Sequence, residues 1–85
     1  MKNCSFKVRG RLWRLIFERD RKEWGLCDHQ NKTIYVERDA SRRMKTETII
    51  HEMCHARLPY LVEEEVHGFA AEVVDVLERL GLLNV

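Results

Sequence analysis

The run His51-Glu52-Met53-Cys54-His55 has the residue types and spacing that metal-assisted hydrolysis needs. Histidines four apart share one helix face, so both imidazoles can approach one zinc ion at about 2.0–2.1 Å. Glu52 follows His51 by about 100° around the helix, beside the metal rather than on it, where it can take a proton from water. The pattern alone is not decisive, because two histidines at a helix edge beside a surface glutamate read the same way.

A third donor must come from elsewhere in the chain. Leu58-Pro59-Tyr60-Leu61 turns the chain into a second helix that opens with Glu63-Glu64-Glu65. Glu63 is in helical register with Val66, Ala70, Val73 and Leu77, which directs it to the partner helix and its histidines. A carboxylate turned inward there is costly unless it meets a cation. His51, His55 and Glu63 are therefore the expected ligands, with water in the fourth position. Glu64, on a more polar stripe, and His67, four residues after Glu63, are the alternates. His67 could instead support a ligand or donate to the reacting oxyanion, a role also open to Tyr35 and Tyr60.

The elements that must position these groups read as β-β-β-α-α. From Phe6 to Phe17, Phe6, Val8 and Leu12 alternate with Lys7, Arg9 and Arg11, as in a half-buried strand bent near Gly10. Residues 23–28 form a short second strand candidate, and Thr33–Glu37 is the clearest β run; these two pair as a hairpin. Ser41 can cap a helix with apolar residues Met44, Ile49, Ile50, Met53 and Cys54, stopping near Arg57 before Pro59. The second helix runs from about Val62 to Leu80, where Gly81 ends it, with Val66, Phe69, Ala70, Val73, Val74, Leu77 and Leu80 as its apolar stripe. The expected fold is α+β: a small antiparallel sheet of about three strands packed on two antiparallel helices.

Composition bounds the rest. Eighty-five residues, 45% hydrophobic and 34% charged, suit one globular domain over residues 1–85. No apolar run approaches the roughly 20 residues of a membrane span, and no hydrophobic signal segment opens the chain. Cys4, Cys27 and Cys54 are an odd, unpaired set, which points to a reducing, cytoplasmic setting without disulfides. Cys54 reads as a core residue, Trp13 and Trp24 read as core or sheet-face residues, and Cys27-Asp28-His29 matches no standard zinc framework. Residues 1–45 hold 13 Lys/Arg against 6 Asp/Glu, and residues 46–85 hold 2 against 8. The basic half could meet nucleic acid or an acidic protein, or the two halves could attract each other within the fold.

The segment Thr48-Ile49-Ile50-His51-Glu52-Met53-Cys54-His55-Ala56, followed by Pro59, Leu61, Glu63-Glu64 and Val66, resembles small zincin-like metallopeptidases of phages and prophages. It is similar, more distantly, to the ImmA/IrrE-type gluzincins. That resemblance implies a strand before the motif helix, His51 and His55 as zinc ligands, Glu52 as general base and Glu63 as third ligand. His67 stands where gluzincins often have an acid or amide. The motif also resembles that of SprT-like proteases, whose third ligand is a histidine.

The expected activity is zinc-dependent hydrolysis of a peptide or protein substrate, with the Thr33–Glu37 strand, as a sheet edge, holding the peptide. Zinc would also help to fold so small a core. The alternative is a non-enzymatic regulatory or binding protein with structural zinc and a basic sheet face for a protein or nucleic-acid partner. Glu52 separates the two, because a structural zinc site has no use for it. A helical module without metal would need neither.

Overall fold

Arg9 and Gly10 both take the left-handed backbone region, with φ of 50° and 77°. Positive φ at both centres of a two-residue loop makes a primed turn, whose twist matches that of the strands it joins. The basic amino-terminal stretch is therefore a hairpin and not one bent strand. Its arms are β1 (Cys4–Val8) and β2 (Arg11–Glu18), in register from Cys4 opposite Leu15 to Val8 opposite Arg11.

The computed structural model describes residues 1–83. After β2 come β3 (Gly25–Asp28), β4 (Thr33–Glu37), α1 (Arg42–Arg57) and α2 (Glu63–Arg79). The α+β class holds, with four strands in the order β1-β2-β4-β3. β3 and β4 pair antiparallel as expected, but β2 and β4 run parallel, so the sheet is mixed. The parallel pair arises because residues 19–24 carry the chain past the end of β4's place before β3 begins. β4 is consequently interior, bonded on both sides, and cannot receive an added strand; the edge beside the helices is β3.

Glu37 ties down that crossing. Its buried carboxylate accepts the N–H of Arg21 at 2.8 Å and that of Asp39 at 3.0 Å. Backbone bonds from Arg38 N to Glu18 O and from Glu37 N to Trp24 O close the same junction. The Arg21 guanidinium lies 4.8 Å over the Tyr35 ring. Since Leu26 pairs with Tyr35 and Gly25 with Val36, Tyr35 belongs to the sheet face turned away from α1.

The opposite face makes the core. Ile34 and Val36 are wholly buried, with Val8, Trp13, Leu15 and Ala56 of α1 around them. Each such aliphatic side chain contributes about 1.5–3 kcal/mol by leaving water. Ser41 caps α1 by accepting the Met44 N–H at 3.1 Å, and Gly81, at φ 74°, ends the last turn after α2. The helices are antiparallel: Arg43, early in α1, pairs with Glu78, late in α2, at 2.9 Å.

α1 lies between two neighbours, packing on β3 and β4 on one side and on α2 on the other. Its buried residues are Thr48, Glu52, Cys54 and Ala56, not the full apolar set of its sequence; Met53 is exposed. α2 buries Val66, Ala70 and Val74 completely but leaves Phe69 and Leu80 in solvent, so the true contact stripe is narrower than its apolar pattern. Arg43–Glu78 is the one Lys/Arg ion pair joining the basic and acidic halves among the described residues.

The two N–H donors from Asp39 and Arg21 hold the Glu37 carboxyl below its ordinary value of 4.5. A depressed carboxylate stabilises the fold fully above its unfolded pKa and loses that effect as pH falls through the folded one. Replacing Glu37 by Gln should therefore lower the melting temperature at neutral pH. The gap to the unaltered protein should narrow as pH drops below about 4.5, as followed by circular dichroism.

Candidate metal centre

His51 and His55 stand one turn apart on α1, and Glu63 is the first residue of α2. The tight link between the helices sets that first turn beside the last turn of α1. There Glu63 Oε1 lies 2.7 Å from His51 Nε2, and Oε2 lies 2.8 Å from His55 Nε2. The two Nε2 atoms are 3.2 Å apart. One donor atom from each residue falls within 4.8 Å of the others, the one such cluster among the described residues.

This donor set suits a divalent ion. Two imidazole nitrogens bound at about 2.0–2.1 Å in a tetrahedral site would stand about 3.3 Å apart, close to the separation seen. Both histidines are about four-fifths buried, which limits competition by bulk water, whereas Glu63 is 68% exposed and reachable from solvent. Two nitrogens and a carboxylate brought together from separate helices can hold a metal ion.

Glu52 points to the sheet side of α1 and is 8% exposed. Its carboxylate makes no side-chain hydrogen bond among the described residues and opens instead onto the adjoining cavities. Burial pushes its pKa up, while His51 and His55 pull it down. It borders two cavities shared with His51 and Gly25. One, of about 300 Å³, is walled by Trp24, Met44, Thr48 and His67. The other, of about 400 Å³, is walled by Glu23, Cys27, His29, His55 and Glu63.

Gly25 is a functional position that sequence reasoning missed. A Cβ there would collide with Thr48 Cγ2, come within 3.0 Å of Tyr35 O and reach 3.1 Å from Glu52 Cγ. Its absence lets α1 settle onto β3 and brings Glu52 to the cleft. A lone glycine inside a strand run is the signal that could have found it.

The other candidates fall outside the cluster. Glu64 is exposed and not part of it. His67 stands nearby, its ring 6.2 Å from that of His51. Tyr35 is on the far sheet face and Tyr60 is 72% exposed in the link between helices. Trp24, expected in the core or on a sheet face, is a half-exposed cavity wall just before β3. Cys54 is buried as expected. Burial, then the charges of Glu52 and Asp28, push the Cys27 thiol up to about 12, which leaves it unreactive. Cys4 lies on the opposite sheet edge from Cys27, so the two share no site. No helix among the described residues is long and apolar enough to cross a membrane.

Comparison with protein-family profiles, curated proteins and solved structures finds no match. Function must be argued from the site itself.

Two outcomes follow from the geometry. Divalent metal bound by the purified protein should be lost in His51→Ala, His55→Ala and Glu63→Ala but kept in Glu64→Ala and His67→Ala, as read by elemental analysis. Gly25→Ala should cost about 1–3 kcal/mol through overpacking, measured by urea unfolding.

Proposed function

We propose that this chain is a zinc-dependent metallopeptidase of minimal gluzincin type, acting on a peptide bond of a protein substrate. The observation that carries the reading is Glu52, a largely buried acid that borders both cavities next to three converging ligand atoms. A structural zinc site is closed by four protein ligands and needs no adjacent base; three ligands plus a carboxylate is the composition of a hydrolytic one. The resemblance of residues 48–66 to zincin-like phage and prophage proteins supports the same reading.

His51, His55 and Glu63 would hold the zinc, which when bound supplies a Lewis acid that polarises a carbonyl and acidifies water. Glu52 accepts a proton from the attacking water and returns it to the leaving nitrogen. The partial burial of its carboxyl suits both halves of that exchange. His67, on the wall of the smaller cavity, donates to the developing oxyanion. The outer edge of β3, bordering the larger cavity through Gly25, Leu26 and Cys27, receives the substrate as an added extended strand.

Glu52→Gln keeps the shape of the site and removes its base. It should retain bound metal and lose at least about 10²-fold in turnover, measured by mass spectrometry on a library of unstructured peptides. Cleavage by the variant at the unaltered rate rejects the assignment.

A further inference from the structure

The basic hairpin has no use in the peptidase reading. Residues 1–17 contain Lys2, Lys7, Arg9, Arg11 and Arg14 and not one acidic residue. All five cations are exposed. None forms an ion pair among the described residues, although the second half of the chain is strongly acidic. The fold has kept these charges apart from its own acids.

The register explains how they are presented. β4 begins opposite Arg14, so Arg11–Trp13 and the facing Phe6–Val8 run past it as a two-stranded ribbon. One face of this end is packed, through Phe6, Val8 and Trp13. The other carries Lys7 and Leu12 side by side, with Arg14 next along the strand and Arg9 in the turn.

We propose that this hairpin end docks duplex DNA, its cations on phosphates and the ribbon directed into the major groove. Arg11, opposite Val8, stands on one face and Lys7 and Arg14 on the other, so the ribbon end carries cations on both faces, which suits a groove walled by phosphates on both sides. A two-stranded ribbon fits the roughly 12 Å wide major groove of B-DNA, whereas that of duplex RNA is too narrow to enter. An acidic protein is the poorer fit: protein interfaces centre on buried apolar anchors, and Leu12 is the one large exposed hydrophobic residue at this end.

β1 and β3 form opposite edges of the sheet, about 14 Å apart at three strand spacings. Glu63, which opens the acidic turn of α2, borders the cavity on the β3 side, away from the β1 edge of the hairpin.

The test is fluorescence anisotropy of a labelled DNA duplex titrated with the full chain between about 50 and about 200 mM salt. With about four phosphate contacts, log K should fall against log salt with a slope of about −3 to −4. Arg9→Gln/Arg11→Gln should make the slope shallower by about 2 and weaken binding by about tenfold or more. Lys7→Gln/Arg14→Gln should act alike, and Lys22→Gln, beyond the other end of β2, should change nothing. All variants should keep the melting temperature and metal content of the parent. Absence of salt-dependent binding, or double variants that bind like the parent while folded, overturns the proposal. So does tighter binding to polyglutamate than to DNA at equal salt, which would assign the hairpin to an acidic protein.

Discussion

Two imidazoles and one carboxylate meeting across the turn between α1 and α2 are the constraint around which this small fold is arranged. Glu63 reaches both histidines only because the link from Leu58 to Val62 is short and the helices run antiparallel. Without a cation, the cluster depends on protons to bridge nitrogens and oxygens that all carry lone pairs. With one, the same convergence would tie the end of α1 to the start of α2, beside the buried Cys54 and Val66. In a chain with so thin a core, such a tie would add to the packing of Val66, Ala70 and Val74, which holds the second helix in place.

The position of α1 makes the rest of the site possible. A helix packed on the sheet by one side and on α2 by another can direct its histidines to the helical neighbour and Glu52 to the strand. The approach to β3 depends on Gly25, whose missing side chain leaves room for Thr48 and the Glu52 stem. The acid is thereby buried next to the ligands yet still borders both cavities. On the other side of the sheet, Glu37 performs an unrelated task with the same chemistry, satisfying two backbone donors where the chain crosses from β2 to β3.

Charge is sorted as well. Glu63, which opens the acidic turn of α2, belongs to the metal cluster, and the five cations of residues 1–17 form no ion pair among the described residues. Direct ion pairing between the two oppositely charged halves, the simplest reading of the sequence, is limited among the described residues to Arg43 and Glu78.

Much of this was legible in the sequence, and the reason is locality. The spacing of His51 and His55, the Ser41 cap, the Gly81 stop and the helical register of Glu63 each depend on a few neighbouring residues, and each appears in the structure as read. What the tertiary structure alone decided is non-local. Arg9 gives little sign of positive φ, so the hairpin was hidden in an apparently continuous strand. The parallel pairing of β2 with β4, and with it the interior place of β4, follows from where the chain re-enters the sheet, which no periodicity records. Phe69 and Leu80 continue the apolar pattern of α2 but lie beyond the width of α1, so nothing covers them among the described residues. Local patterns specify helices, caps and which face a side chain takes; which strand lies beside which depends on contacts between segments distant in the chain.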